Sequence, residues 1–131
     1  MDTDNLDLDF SDFVTGYLEC ALWSSTEGSE DGDMGASLED NYGIEDIDPK
    51  TLKEMIKECE DFQKYAKVEL AQYYKEYDES RAGHDFWLTR NGHGVGFWDR
   101  GLGELGDKLS EKSKPFGSYD LYAFEGKVYG Q

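Results

Sequence analysis

The side chains best suited to catalysis lie in one stretch of the chain, between His84 and Arg100. Asn91-Gly92 separates two runs of alternating residues, and Asn-Gly is the preferred pair for the two-residue turn of a β-hairpin. In the register that this turn sets, His84 faces Asp99. Asp99 would then orient His84 as a general base, and Arg100 would bind an anion. The same arrangement is also typical of an ordinary cross-strand ion pair, and no nucleophile accompanies it.

Two further motifs have the spacing of ligand-binding loops. Gly101 to Gly106 matches G-x-G-x-x-G between a predicted strand and a predicted helix, a pattern that lets backbone N–H groups approach a pyrophosphate. The sheet has too few strands for two nucleotide-binding halves, so we interpret the motif as a glycine-rich connection. Glu27 to Leu38 resembles part of a calcium loop, but Leu38 stands where the bidentate glutamate belongs. We predict no cofactor and no specific metal site.

The two cysteines, Cys20 and Cys59, fall on the apolar faces or borders of two different predicted helices. We predict that both are buried, reduced thiols, as is typical of a cytosolic protein. Two histidines and two cysteines at these separations do not form a zinc-binding pattern.

The negative charge of the chain is concentrated in its first third. The 131 residues carry 30 Asp and Glu against 13 Lys and Arg, a formal net charge of −17. Half of the acids stand in residues 1–48, which contain no Lys or Arg; the first cation is Lys50. Such a balance argues against direct binding of nucleic acid phosphates. We also expect no signal peptide, because the N-terminus lacks a basic region, and no membrane span, because no apolar run is long enough.

Hydrophobic periodicity predicts two helices in the N-terminal part. Apolar residues from Phe10 to Ser24 recur on a helical period, with Gly16 as a weak point inside. A long acidic connection, 25–48, follows. Asp48 is a good N-cap and Pro49 a good first residue for a second helix that runs to Tyr77, roughly 28 residues.

The residue pattern of the C-terminal part predicts strands and one short helix. The hairpin at Asn91-Gly92 is followed by a helix over Leu102 to Lys112 and by a second hairpin that turns at Glu125-Gly126. We therefore predict a single α+β domain in which two N-terminal helices, one of them long, pack on a mainly antiparallel sheet of about four strands. Its parts are an acidic segment (1–48), the long helix (49–78) and the two hairpins with the helix between them (84–131).

The segment from Ala82 to Gly101, AGHDFWLTRNGHGVGFWDRG, resembles a segment of small uncharacterised proteins encoded by bacteriophages and prophages. The resemblance extends over most of the chain, through residues 16–24, 41–42, 59–62, 106–107 and 120–122. It implies a viral or mobile-element origin and a place in the cytoplasm of a bacterial host. It carries no activity and no site residues.

We expect a non-enzymatic protein that binds a basic, nucleic-acid-binding host protein, with its carboxylates imitating a row of DNA phosphates. The candidate contacts are Glu27, Glu30, Asp31, Asp33, Glu39, Asp40, Glu45 and Asp46. Two alternatives stay open. One is a structural or replication accessory protein whose aromatic surface mediates assembly. The other is a small enzyme or ligand-binding protein that uses His84, Arg90, His93, Asp99 and Arg100.

Overall fold

A computed structural model of the chain describes residues 10–25, 37–92, 96–97 and 101–130. Within these ranges five α-helices precede one β-hairpin, in the order α1 (Asp12–Ser24), α2 (Pro49–Tyr65), α3 (Lys67–Tyr73), α4 (Glu79–Arg90), α5 (Glu104–Ser113), β1 (Leu121–Phe124) and β2 (Lys127–Gly130). Three short 3₁₀ turns lie between them, at Leu38–Asp40, Ile44–Asp46 and Lys114–Phe116. The prediction of an α+β fold is confirmed, with more helix and less sheet than expected.

Helices α1 and α4 cross so closely that their backbones touch. Ser11 begins α1 by accepting the N–H of Val14 through its side chain, at 3.2 Å. At the crossing, a Cβ on Gly16 would collide with the Ser80 carbonyl, and a Cβ on Gly83 would collide with the Phe13 carbonyl. The glycine that weakens α1 as an isolated helix is therefore the residue that lets α4 approach it.

The predicted hairpin at Asn91-Gly92 is wrong, because residues 79–90 form helix α4. Asp78 caps its N-terminus by accepting the Arg81 N–H at 2.8 Å, and Gly92 ends it with a φ of +74° and an N–H bonded to the Thr89 carbonyl. The Asn-Gly pair thus terminates a helix. The register that sets His84 opposite Asp99 does not form, and Asp99 itself lies outside the described residues.

The burial of α4 on several sides explains why residues 84–90 do not show the apolar pattern of a helix. Seven of the twelve α4 residues are buried, including the charged residues Asp85 and Arg90, so the buried positions do not form one apolar stripe. A helix of that kind lacks the single apolar stripe that a 3.6-residue period requires.

The predicted long helix is interrupted. It begins as expected, with Pro49 first and the Asp48 carboxylate accepting two backbone N–H groups. At Ala66 the backbone leaves helical geometry (φ −106°, ψ 24°), and α3 then ends at Tyr73. Neither Gly nor Pro marks the break, so nothing in the local sequence indicates it.

The C-terminal elements follow the prediction closely. Helix α5 spans Glu104–Ser113, and β1 pairs antiparallel with β2 across the Glu125-Gly126 turn. Ile47 adds a single parallel bridge to Val128, which ties the acidic connection to the hairpin. The described residues contain these two strands, and the four-stranded sheet is not confirmed.

An aromatic cluster fills the space between α1, α2 and α4. Phe62 stacks on Phe86 with ring centroids 4.1 Å apart and planes 9° from parallel. Phe13 contacts both rings, and Tyr17 stacks on Phe86 at 5.4 Å. All four side chains are fully buried. One face of α1 thus packs on this aromatic cluster, and its opposite face is exposed to solvent.

The glycine crossing leads to a stability prediction. Ala is a better helix former than Gly by about 1 kcal/mol, yet at Gly16 or Gly83 its Cβ meets backbone that cannot move aside. We expect Gly16→Ala and Gly83→Ala each to lower the free energy of unfolding by about 2 kcal/mol in denaturant titrations. Glu19→Ala, an exposed change on α1, should shift it by less than about 0.5 kcal/mol. A stabilising effect of either glycine substitution would contradict the close crossing.

Candidate functional site: an acidic groove

Part of the predicted acidic contact surface lies on the two 3₁₀ turns that follow α1. Glu39 and Asp40 belong to the turn Leu38–Asp40, and Glu45 and Asp46 belong to Ile44–Asp46. Glu39, Asp40 and Glu45 are exposed, whereas Asp46 is half-buried and accepts the Gly43 N–H at 2.9 Å. The other predicted contacts lie outside the described residues: Glu27, Glu30, Asp31 and Asp33.

A groove of about 330 Å³ runs between α1 and these turns. Three carboxylates, those of Glu19, Glu39 and Glu45, line it together with apolar side chains from Leu22, Tyr42 and Ile44. We refer to these six residues as the acidic groove. Glu19 was not among the predicted contacts, although its exposed position on α1, in a segment without cations, could have indicated it.

Hydrogen bonds to the end of α1 hold the first turn in place. The Ser37 hydroxyl donates to the carbonyls of Leu22 and Trp23, at 3.1 and 2.7 Å. The Leu38 N–H donates to the Ser25 carbonyl at 2.8 Å, and the Leu38 side chain is fully buried. The position of Glu39 is therefore set by the helix that carries Glu19.

The second turn is tied to the hairpin. The Asp48 N–H donates to the Val128 carbonyl at 2.8 Å, and the Ile47 and Val128 side chains are buried. The segment that carries Glu45 is thus anchored before it at Leu38 and after it at Ile47 and Asp48.

The negative charge of the groove is not neutralised within the described part of the chain. The Lys and Arg ion pairs recorded there engage acids of α2, α3 and α5, namely Lys57–Asp61, Arg90–Glu58, Lys112–Glu69 and Lys114–Glu111. None of these pairs uses Glu19, Glu39 or Glu45. The exposed carboxylates of the groove therefore have no Lys or Arg partner among the described residues, whereas some acids of the later helices are paired.

His84 occupies a different environment from the one predicted. Its ring lies on α4 and stacks on Trp23, with centroids 5.8 Å apart. Its Nδ1 is 4.0 Å from Oδ1 of Asp85, a fully buried carboxylate that accepts the Tyr73 hydroxyl at 2.7 Å. His93, Asp99 and Arg100 lie outside the described residues, so the predicted catalytic group is not brought together by the residues that the structure describes.

Arg90, which the hairpin hypothesis grouped with His84 in a candidate site, is a buried side chain of α4. Its Nε and Nη2 donate to the carbonyls of Gly117 and Phe116, both at 2.7 Å. Its Nη1 donates to the Tyr17 hydroxyl at 2.9 Å and to the Glu58 carboxylate. Burial by itself lowers the pKa of Arg90, but Tyr17 and Glu58 outweigh it and the pKa is raised. The Arg90 guanidinium is thus engaged by groups of the protein itself and is not positioned to bind an anion from solution.

The prediction of buried thiols is confirmed. Cys20 and Cys59 are at most 1% exposed, and neither forms a disulfide. Burial raises the pKa of Cys20 to about 12 and raises that of Cys59 well above its ordinary value. Neither thiol is suited to nucleophilic chemistry at neutral pH.

The β-hairpin carries an exposed aromatic face. Tyr122 and Phe124 are 42% and 58% exposed, and Tyr122 stacks on Tyr129 across the strands at 5.7 Å. Lys127 pairs with Phe124 in the strand register. This face differs in composition from the acidic groove, since its charged side chain is the cation Lys127.

The described ranges contain neither a cluster of metal ligands nor a helix that could cross a membrane. No group of three His, Cys, Asp or Glu side chains there could hold a metal ion. None of the described helices combines the length and the apolar character that crossing a bilayer requires. Comparison of the chain with models of protein families, with curated proteins and with solved structures finds no match.

The Arg90 network generates the second prediction. Arg90→Met removes the cation and leaves the Glu58 carboxylate, the Tyr17 hydroxyl and the partly buried carbonyls of Phe116 and Gly117 without their donor. We expect the free energy of unfolding to fall by about 3–5 kcal/mol, measured by denaturant titration. Arg81→Met, on the exposed side of the same helix, should change it by less than about 0.5 kcal/mol. Equal effects of the two substitutions would show that Arg90 does not hold the core.

The burial of the two thiols leads to a third prediction, which concerns their reactivity. A raised pKa lowers the thiolate fraction at pH 8, and burial blocks the reagent, so both cysteines should react far more slowly than a free thiol. With a chromogenic disulfide reagent we expect almost no release in the native state and two equivalents per chain in guanidinium. Rapid labelling of one thiol in the native protein would contradict its placement in the core.

Proposed function

We propose that this protein is an acidic, phage-encoded binding protein that engages a basic host protein in place of nucleic acid. The observation that carries the proposal is the acidic groove, in which Glu19, Glu39 and Glu45 surround apolar side chains and none has a cationic partner among the described residues. Carboxylates held on anchored turns present a fixed charge pattern, which a basic surface can match at low cost in conformational entropy.

The mixed lining of the groove favours Lys and Arg side chains as the groups it receives. Their aliphatic stems can pack on Leu22, Tyr42 and Ile44 while their charged ends reach the carboxylates. A nucleic-acid-binding protein offers many such side chains, because duplex DNA presents about one negative charge per 1.7 Å of its axis. Direct binding of nucleic acid by this chain is disfavoured by its charge of −17.

Origin and compartment rest on the resemblance of the 82–101 segment to phage and prophage proteins. On that basis we propose that the chain acts in the cytoplasm of a bacterial host. The alternative of a small enzyme loses its geometric basis, because it depended on the hairpin that helix α4 replaces. The alternative of an accessory protein is favoured by the aromatic face at Tyr122, Phe124 and Tyr129.

The test is affinity capture from bacterial lysate at low salt (about 0.05 M) and high salt (about 0.5 M), since salt screens exposed charges. We expect a protein with a basic nucleic-acid-binding surface to be retained at low salt and released by high salt or by added duplex DNA. The groove variant Glu19→Gln/Glu39→Gln/Glu45→Gln should weaken binding of that protein by about tenfold or more.

The matched control is Glu60→Gln/Glu76→Gln/Glu104→Gln, which removes three exposed carboxylates elsewhere and changes the net charge equally. The control should bind nearly as the wild type does. Equal loss in both variants would mean that only total charge matters, and the absence of a basic partner at low salt would remove the proposal. Loss of a partner in Tyr122→Ser/Phe124→Ser, with the groove variant unaffected, would favour the accessory protein instead.

A further inference from the structure

The C-terminal hairpin has one covered edge and one open edge. At the edge of β2, the Val128 carbonyl accepts the Asp48 N–H at 2.8 Å, and the Gly130 N–H donates to the Thr51 hydroxyl at 3.2 Å. Ile47 adds its single parallel bridge to Val128. The segment that enters α2 therefore covers the outer backbone groups of β2.

The pairing register identifies the backbone groups at the edge of β1. Leu121 pairs with Gly130, and Ala123 pairs with Val128. Because the outer groups of Val128 and Gly130 point away from β1, those of Leu121 and Ala123 point away from β2. In the described part of the chain no hydrogen bond is recorded to these outer groups of Leu121 and Ala123. The edge of β1 is therefore available to another strand.

The side chains of β1 alternate between the core and the solvent. Leu121 and Ala123 pack on the core, whereas Tyr122 and Phe124 are exposed. Tyr122 also stacks on Tyr129 of β2. The four residues of β1 include neither a charged residue nor a proline, which are the residues that commonly keep an edge strand from pairing.

We propose that β1 pairs antiparallel with β1 of a second copy of this chain, so that two hairpins form one four-stranded sheet. A two-fold axis at Tyr122 sets Leu121 of each copy opposite Ala123 of the other. Each of these pairs exchanges both N–H···O=C bonds, because the groups involved point outward on both strands. Since the other edge of the hairpin is covered, the assembly closes as a dimer. The proposal does not rest on the acidic groove or on the proposed function.

The side chains at this edge fit a second copy better than a basic partner. In the two-fold register Tyr122 faces Tyr122, so the stack with Tyr129 continues from one hairpin into the other. Phe124 of one copy faces Asp120 of the other, which brings that carboxylate into the row that ends in Lys127. A basic strand would find no carboxylate within β1, and Lys127 is itself a cation. Aromatic stacking and charge complementarity within the hairpin thus favour the chain itself as the occupant.

The first test is sedimentation equilibrium of the pure chain at up to about 1 mM, because a contact between two short strands is small and weak. We expect a monomer–dimer equilibrium that shifts towards the dimer between about 0.05 and about 0.5 M salt, since salt screens the repulsion between two chains of charge −17. Binding of a basic protein to the acidic groove has the opposite salt dependence. A monomer over this whole range would overturn the proposal.

Two substitutions at one position provide the matched pair. Ala123→Pro removes an outward N–H and leaves the bonds between β1 and β2 in place, because the open side of an edge strand tolerates proline. We expect it to weaken dimerisation about tenfold or more, whereas Ala123→Val keeps the N–H and should dimerise as the wild type does. Dimerisation of Ala123→Pro at wild-type strength would contradict the pairing.

The same variants separate this contact from the other binding surfaces. The groove variant should still dimerise, and Ala123→Pro should still bind the basic protein that the acidic groove captures. A different result would favour a foreign strand: a wild-type chain that is monomeric alone and captures a protein from lysate that only Ala123→Pro loses. That result would replace the second copy as the occupant of β1.

Disulfide crosslinking tests the register by a separate route. In Tyr122→Cys the two introduced thiols lie opposite each other in a non-hydrogen-bonded pair, where Cβ atoms are about 4.5–5.5 Å apart. We expect oxidised glutathione to convert this variant into a covalent dimer, since Cys20 and Cys59 are buried and do not compete. The matched control is Phe124→Cys, at a more exposed position that faces Asp120 of the second copy, and it should stay largely monomeric. Equal crosslinking of the two variants would rule out the proposed pairing.

Discussion

The buried guanidinium of Arg90 is the interaction on which the remaining structure depends. It extends from α4 and reaches Tyr17 on α1, Glu58 on α2 and the carbonyls that end the 3₁₀ turn after α5. A buried cation is costly unless nearly all of its donors are used, so the elements around it have little freedom to change position. Rings of Phe86, Phe116 and Tyr119 lie 5.4–6.0 Å from the guanidinium carbon and complete its surroundings.

The position of the acidic groove follows from that frame. Arg90 and the crossing at Gly16 and Gly83 fix α1 against α4, and the end of α1 in turn holds the turn that carries Glu39. Positive and negative side chains are distributed differently over this frame. Lys57, Lys112 and Lys114 pair with acids of the later helices and Arg90 enters the core, whereas the three carboxylates of the acidic groove are exposed and have no recorded cationic partner among the described residues. Mutual repulsion among them is tolerable because they stand at the surface, where water and salt screen it.

Much of the secondary structure could be predicted from local patterns, because the elements concerned have one buried face or a clear boundary. Helix α1 shows a single apolar stripe, Pro49 follows a good N-cap, and Glu125-Gly126 turns the C-terminal hairpin as expected. The acidic character of the candidate site was equally visible. The groove itself was not, since Glu19 and Glu45 are far apart in sequence and meet through the packing of the turns on α1.

The sequence by itself determined where the charge lies, which face of α1 is apolar and which thiols are buried, because these depend on composition and on simple periodicity. Only the tertiary structure decided the state of residues 84–90. Alternating side chains and an Asn-Gly pair fit a hairpin as well as a helix with a glycine C-terminus. The close crossing at Gly83 and the partners of Arg90, which lie up to 73 residues away in the chain, stabilise the helix. Contacts over such distances cannot be read from a local pattern, and they outweigh the local preference for a turn.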